Sequence, residues 1–137
     1  MNCIHIYTDG ASKGNPGHAG IGIVMIYNHH RKEFYKYLGM TTNNIAELTA
    51  IKYALDQINN KTIPTIVYSD SQYAIGCLQN SKWNPKKNKV LIENIKQQIK
   101  LFKSIQFKYV KAHSGIKENE RADWLANKAI ETKGTSE

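Results

Sequence analysis

Four of the eleven acidic residues stand where an acid is unusual: Asp9 at the end of a strand pattern, Glu47 beside Leu48 near a helix start, Asp70 at a strand-helix junction and Asp123 in the last helix. Taken singly, each has an ordinary explanation: a turn former, the second member of a capping box, an N-cap and a solvated helix acid. Their surroundings point elsewhere. Glu47 shares a helix face with Ile51 and Ala54, and Asp123 shares one with Ala126 and Ile130, so both carboxylates lie on or beside an apolar stripe. Asp9 and Asp70 leave the C-terminal ends of strands that can be sheet neighbours, the region where open α/β sheets place ligands. Gathered carboxylates repel and take up protons, unless divalent cations on oxygen ligands relieve the repulsion. The pattern therefore asks for hard-metal chemistry.

The elements that must position these acids follow from periodicity. Residues 2 to 9 alternate and break at Asp9-Gly10, and Lys13-Gly14-Asn15-Pro16-Gly17 reads as a loop. Ala19 to Tyr27 and Phe34 to Leu38 follow as strands, which predicts three antiparallel strands in succession. Asn44-x-x-Glu47 predicts a helix start, with Ile45, Leu48, Ile51, Leu55 and Ile58 as its buried stripe. Ile66-Val67-Tyr68 is a short strand that passes through Ser69-Asp70-Ser71 into a helix carrying Tyr73, Ala74, Cys77 and Leu78. Asn84-Pro85 breaks the chain, and a third helix from about Asn88 to Lys103 aligns Ile92, Ile95, Ile99 and Phe102. Ile105 to Val110 is the fifth strand, and a loop through His113-Ser114-Gly115 leads to a last helix from about Glu118 to Thr132. The tail from Lys133 to Glu137 is expected to fray. The order predicts an α/β fold, one domain over residues 1–137, with a five-stranded mixed sheet and helices on both faces.

A net charge of +8 and a pI near 9.5 suit a polyanionic partner, because a basic surface gains affinity by displacing counterions from phosphates. Cys3 and Cys77 are too few for a disulfide framework or a zinc site and read as small hydrophobes. The longest apolar run, Ile21 to Tyr27, falls far short of the roughly 20 residues that cross a bilayer. No signal-peptide pattern precedes the first strand, so a cytoplasmic location is expected.

Five ordered motifs add a resemblance. Tyr7-Thr8-Asp9-Gly10 with Lys13-Gly14-Asn15-Pro16-Gly17, Thr41-Thr42-Asn43-Asn44-x-x-Glu47-Leu48, Ser69-Asp70-Ser71-Gln72-Tyr73, Val110-Lys111-x-His113-x-Gly115 and Glu118-Asn119-Glu120-Arg121-x-Asp123 resemble the successive signatures of bacterial type 1 ribonuclease H. The resemblance implies an endonuclease that cuts the RNA strand of an RNA–DNA hybrid, with little regard to sequence, and leaves 5′-phosphate and 3′-hydroxyl ends. It implies that Asp9, Glu47, Asp70 and Asp123 ligate two magnesium ions, with manganese as a possible substitute. His113 would handle the proton of the attacking water or loosen the product; its other reading is a surface histidine. Asn15, Asn43, Asn44 and Gln72 match positions that contact the hybrid through its sugars, and Thr42 with Asn88 would hold a DNA phosphate. Asn44 equally reads as a simple N-cap. A monomer without an obligate protein partner is implied.

Two departures qualify the resemblance. The better known enterobacterial enzyme has a longer basic, tryptophan-rich protrusion where this chain has only Ser81-Lys82-Trp83-Asn84-Pro85-Lys86-Lys87, so the substrate handle reads as shortened. Trp83 reads either as a stacking residue or as core packing. Met40 stands where that enzyme has an arginine beside the phosphate pocket. A catalytically dead binding module would lack at least one of the four acids, and all are present. Resolvases and integrases differ in acid spacing and lack the Thr-Thr-Asn-Asn segment. Met1 shortly before the first motif favours a stand-alone protein over a reverse transcriptase domain, and a basic scaffold would require five coincidences.

Overall fold

The computed structural model describes residues 2–80 and 85–136; Lys82 and Trp83 lie outside the described residues, and with them both readings of Trp83. β1 (Ile4–Gly14) and β2 (Gly17–Tyr27) form a long antiparallel hairpin, and β3 (His30–Thr41) pairs antiparallel with β2. β4 (Thr65–Ser69) runs parallel to β1, and β5 (Ile105–Tyr109) runs parallel to β4, which gives the strand order β3-β2-β1-β4-β5. Among the described residues there are four helices: α1 (Asn43–Asp56), α2 (Gln72–Gln79), α3 (Lys89–Lys100) and α4 (Lys117–Thr132). This is the five-stranded mixed sheet that the sequence pattern predicts.

The sheet is buried on its two faces by different means. On one face Ile4 and Ile6 of β1, Ile21 and Ile23 of β2 and Val67 of β4 meet Leu48, Ile51 and Leu55 of α1, all of them buried. Each such side chain removed from water contributes about 1.5–3 kcal/mol. The predicted stripe of the third helix also packs here, with Ile92, Ile95 and Phe102 buried and Ile99 partly so. Among the described residues, the opposite face is covered by α4, through Ala122 and Leu125 against Val24, with Tyr7, Ile26 and Tyr35 around them.

Three local expectations need correction. Asp9-Gly10 does not end β1, which continues to Gly14, and the chain reverses at Asn15 and Pro16. The sequence reads as a break because glycine commonly marks turns, but here a close helix requires the glycine. The N-cap of α1 is Thr42, not Asn44: its backbone is extended and its Oγ1 accepts a hydrogen bond from Ile45 N at 3.2 Å. Glu47 therefore stands beyond any capping box. The tail does not fray over its described part. Tyr37 N donates to Gly134 O at 3.0 Å, Ser136 N donates to Tyr35 O at 2.8 Å, and Thr135 pairs with Lys36 on β3.

Candidate active site

Asp9 occupies the middle of the sheet. It pairs with Gly22 of β2, and it follows Thr8, which pairs with Ser69 in parallel β4, so Asp70 leaves its strand beside it. Ser71, not Asp70, caps α2: its Oγ accepts from Ala74 N at 3.0 Å, while Ser69 Oγ accepts from Ser71 N at 3.1 Å. The Asp70 carboxylate is thereby released from helix capping and aims at the other acids.

Glu47 arrives from the α1 face and Asp123 from the α4 face. Gly10 has no room for a Cβ, which would overlap the Ala46 carbonyl carbon and Glu47 N; its own N–H donates to Glu47 Oε1 at 2.8 Å. Gly22 plays the matching part on the other side, where a Cβ would overlap Ala122 O and Ala126 N of α4. Two glycines that flank Asp9, one next in chain and one across the ladder, thus let two helices close on it.

Oxygens of Asp9, Glu47 and Asp70 come within 4.8 Å of one another, and Asp9 and Glu47 are 5% and 6% exposed. Asp123 joins them through a hydrogen bond with Asp9. Burial, then the charges of Glu47 and Asp70, push the Asp9 carboxyl far above the usual carboxylate range. Burial and then Asp70 push Glu47 up to about 8, against the Gly10 N–H, which favours the charged form. Asp70 is raised by burial, and its hydrogen bond to Asp9 opposes that rise. Without a cation, at least some of these groups hold protons at neutral pH.

The other predicted residues fall into two groups. Asn15 Oδ1 accepts from Asn43 N at 3.0 Å, which joins the β1–β2 turn to the start of α1, and Gln72 lies exposed at the start of α2. Asn44 and Asn88 line one cavity of about 320 Å³ together with Tyr73, Pro85, Lys86 and Lys87, and Asn88 Nδ2 donates to the Tyr73 hydroxyl at 3.0 Å. Thr42 is half-buried, with its oxygen used as the α1 cap and its O–H left to donate. Met40 is 64% exposed at the end of β3. His113 lies exposed in the loop before α4, with left-handed backbone at φ 54°. The structure does not bring it into the acid cluster.

Two residues at the site were not singled out from the sequence. Asn119 is 3% exposed, donates to Asp70, and has a buried Oδ1 without a hydrogen-bond partner among the described residues. Asn127 Nδ2 donates to Asp123 Oδ1 at 3.3 Å, while Lys13 Nζ donates to Asn127 Oδ1 at 2.8 Å. A signal was available: both asparagines lie four residues from Asp123, on its own helix face.

The RNase H family profile matches residues 1–131. The chain belongs to the ribonuclease H family. It is 37% identical to the ribonuclease H of Saccharopolyspora erythraea over 141 residues, which cover 93% of this chain and 90% of that protein. Its fold is similar to the RNase H1 of the halophilic archaeon Halobacterium salinarum, with a TM-score of 0.82, 28% identity, and 95% and 98% of the two chains covered. It is also similar to LC11-RNase H1 in complex with an RNA/DNA hybrid, with a TM-score of 0.78, 29% identity, and 95% and 98% covered. The chain is thus a type 1 ribonuclease H, a hydrolase. No helix among the described residues is long and apolar enough to cross a membrane.

Proposed function

We propose that this ribonuclease H is a single catalytic domain that hydrolyses the RNA strand of RNA–DNA hybrids at the cluster of Asp9, Glu47, Asp70 and Asp123. The observation that carries the reading is three carboxylates, two of them almost fully buried, with oxygens within 4.8 Å of one another. The donor set fits a hard divalent cation: it is all oxygen, and burial makes its negative charge costly unless a cation offsets it. Asp9, Glu47, Asp70 and Asp123 would hold two magnesium ions, or manganese in their place. When bound, such a pair activates water and neutralises charge on the scissile phosphate and its leaving oxygen.

The chain's own groups do the rest. Gly10 N–H fixes one oxygen of Glu47, and Asn127, itself held by Lys13, fixes one oxygen of Asp123. In the reaction a bond forms from water oxygen to phosphorus, the bond from phosphorus to the 3′ oxygen breaks, and a proton passes from the water to the departing oxygen or to solvent. The His113 ring, on its exposed loop, takes up and returns that proton. Products carry 5′-phosphate and 3′-hydroxyl ends.

Hybrid recognition falls to Asn15, Asn43, Asn44 and Gln72, short hydrogen-bonding groups suited to 2′-hydroxyls across a shallow minor groove. Thr42 takes a DNA phosphate together with Asn88, which lines one cavity with Lys86 and Lys87. The neighbouring LC11 enzyme in complex with a hybrid supports this substrate. A monomer acting in the cytoplasm completes the reading. The deciding experiment is a gel assay of RNA–DNA hybrid, double-stranded RNA and double-stranded DNA, with and without magnesium. Magnesium-dependent cutting of the hybrid's RNA strand alone is expected; equal cutting of double-stranded RNA, or cutting in excess chelator, refutes it.

A further inference from the structure

α4 begins without a side-chain cap: Ile116 precedes it and offers no acceptor to the first turn. What fixes that end lies on its outer face. Arg121 Nε donates to Glu33 Oε2 and Arg121 Nη2 to Glu33 Oε1, each at 2.9 Å, a bidentate fork between α4 and β3. Arg31 joins the same carboxylate through Nη2 at 2.9 Å and reaches Glu118 Oε1 through Nη1 at 2.7 Å. The Arg121 guanidinium also stacks 4.2 Å above the Trp124 ring, which restricts its plane. The four charged side chains are 20% to 39% exposed, so water screens them only in part.

Helix geometry connects this clamp to the acids. Glu118 and Arg121 stand three residues apart on one face, and Asn119 and Asp123 stand four apart on another, about 150° round the axis. A helix turn held on one side cannot rotate or lift on the other. We propose that Glu33 is a positioning residue for the active site: through Arg121 and Arg31 it holds the first two turns of α4 so that Asn119 and Asp123 face Asp70 and Asp9. Glu33 touches none of the acids, and its effect passes wholly through α4. The role rests on the reading of the four acids as a metal site, since it is there that Asp123's placement is felt.

Charge alone gives a different expectation, and this makes the proposal testable. Removing a remote positive charge from a protein strengthens cation binding, whereas releasing α4 weakens it. The experiment is calorimetric titration of magnesium, without nucleic acid, into wild type, Glu33→Gln, Arg121→Gln and Arg31→Gln. Melting curves are recorded alongside. All three variants are expected to bind magnesium more weakly, by roughly twofold to thirtyfold, the range that remote positioning contacts produce. Arg31→Gln should show the smallest change, because the Arg121–Glu33 fork survives it, and it decides the matter if the other variants melt too low to titrate. Magnesium binding by Arg121→Gln or Arg31→Gln as tight as wild type, or tighter, overturns the clamp. No saturable binding by wild type would overturn the metal-site reading instead.

Discussion

Glu47 and Asp123 reach Asp9 from opposite faces of the sheet, and their supports differ in kind. On the α1 side the carboxylate is held by main chain: Gly10 admits the helix and its N–H grips Glu47 at 2.8 Å, while the Thr42 side chain only caps the helix start. On the α4 side only the admission through Gly22 is main chain, while Asn127, Lys13, Arg121, Arg31 and Glu33 supply the holding by side chains. Backbone contacts leave little freedom, whereas polar side-chain links can loosen singly. One arm of the site is thus built rigid and the other adjustable. Glu47 is also the more buried member, as an acid fixed by main chain can be.

The largest effect is expected where both arms meet. Asp70→Asn keeps shape but removes a charge shared by the cluster, and should lower cleavage about 10³-fold with hybrid binding nearly intact. Retention of more than a tenth of the activity in a gel assay would remove Asp70 from the reacting centre. His113→Ala lies outside both arms and should slow turnover about 10²-fold without eliminating it. An unchanged rate under single and multiple turnover would make His113 a plain surface residue. Breaking the arms themselves shows in stability. Gly10→Ala and Gly22→Ala should each cost about 1–3 kcal/mol or more, because the new Cβ meets backbone that cannot yield as a side chain does. A wild-type melting temperature in either would contradict the close approach. Thr42→Ala, which removes only the α1 cap, should cost about 1 kcal/mol, read as a melting shift of about 4 °C.

A pH-dependent effect isolates the buried acid of the rigid arm. Glu47 ionises in the folded chain at about 8, above its ordinary value of 4.5, so the native state holds a proton that the unfolded state releases. The stability this contributes is complete below the unfolded value and is lost as pH rises through the folded one. Metal-free wild type should therefore lose stability relative to Glu47→Gln between about pH 5 and pH 8, and magnesium should reduce that loss. Melting curves in chelator and in magnesium test it. A wild type that gains on the variant as pH rises would reverse the sign and deny that Glu47 is protonated.

The fold was legible because its elements carry strong periods: the stripe Leu48, Ile51, Leu55 and the stripe Ile92, Ile95 lie buried where helical spacing places them. The acids were legible as misfits, polar groups on apolar faces. Glycine was misread at Gly10, because local sequence cannot separate a turn from a strand that a helix closely approaches. Asn119 and Asn127 give no misfit as asparagines within a polar helix; their one sequence signal, the four-residue spacing from Asp123, gains weight only once Asp123 is placed. The tail is expected to fray as chain ends commonly do, yet backbone groups hold it.

That tail has a further effect, on solubility. β3 is an outer strand of the sheet, and such a strand exposes unpaired amides and carbonyls that another chain can recruit. Here Gly134 O takes the Tyr37 amide, while Ser136 offers Oγ to the Tyr35 amide and its own N–H to the Tyr35 carbonyl. The last turn of chain acts as a bumper along the middle of the exposed rim, and removal of residues 134–136 would leave a free template for strand-to-strand aggregation at high concentration.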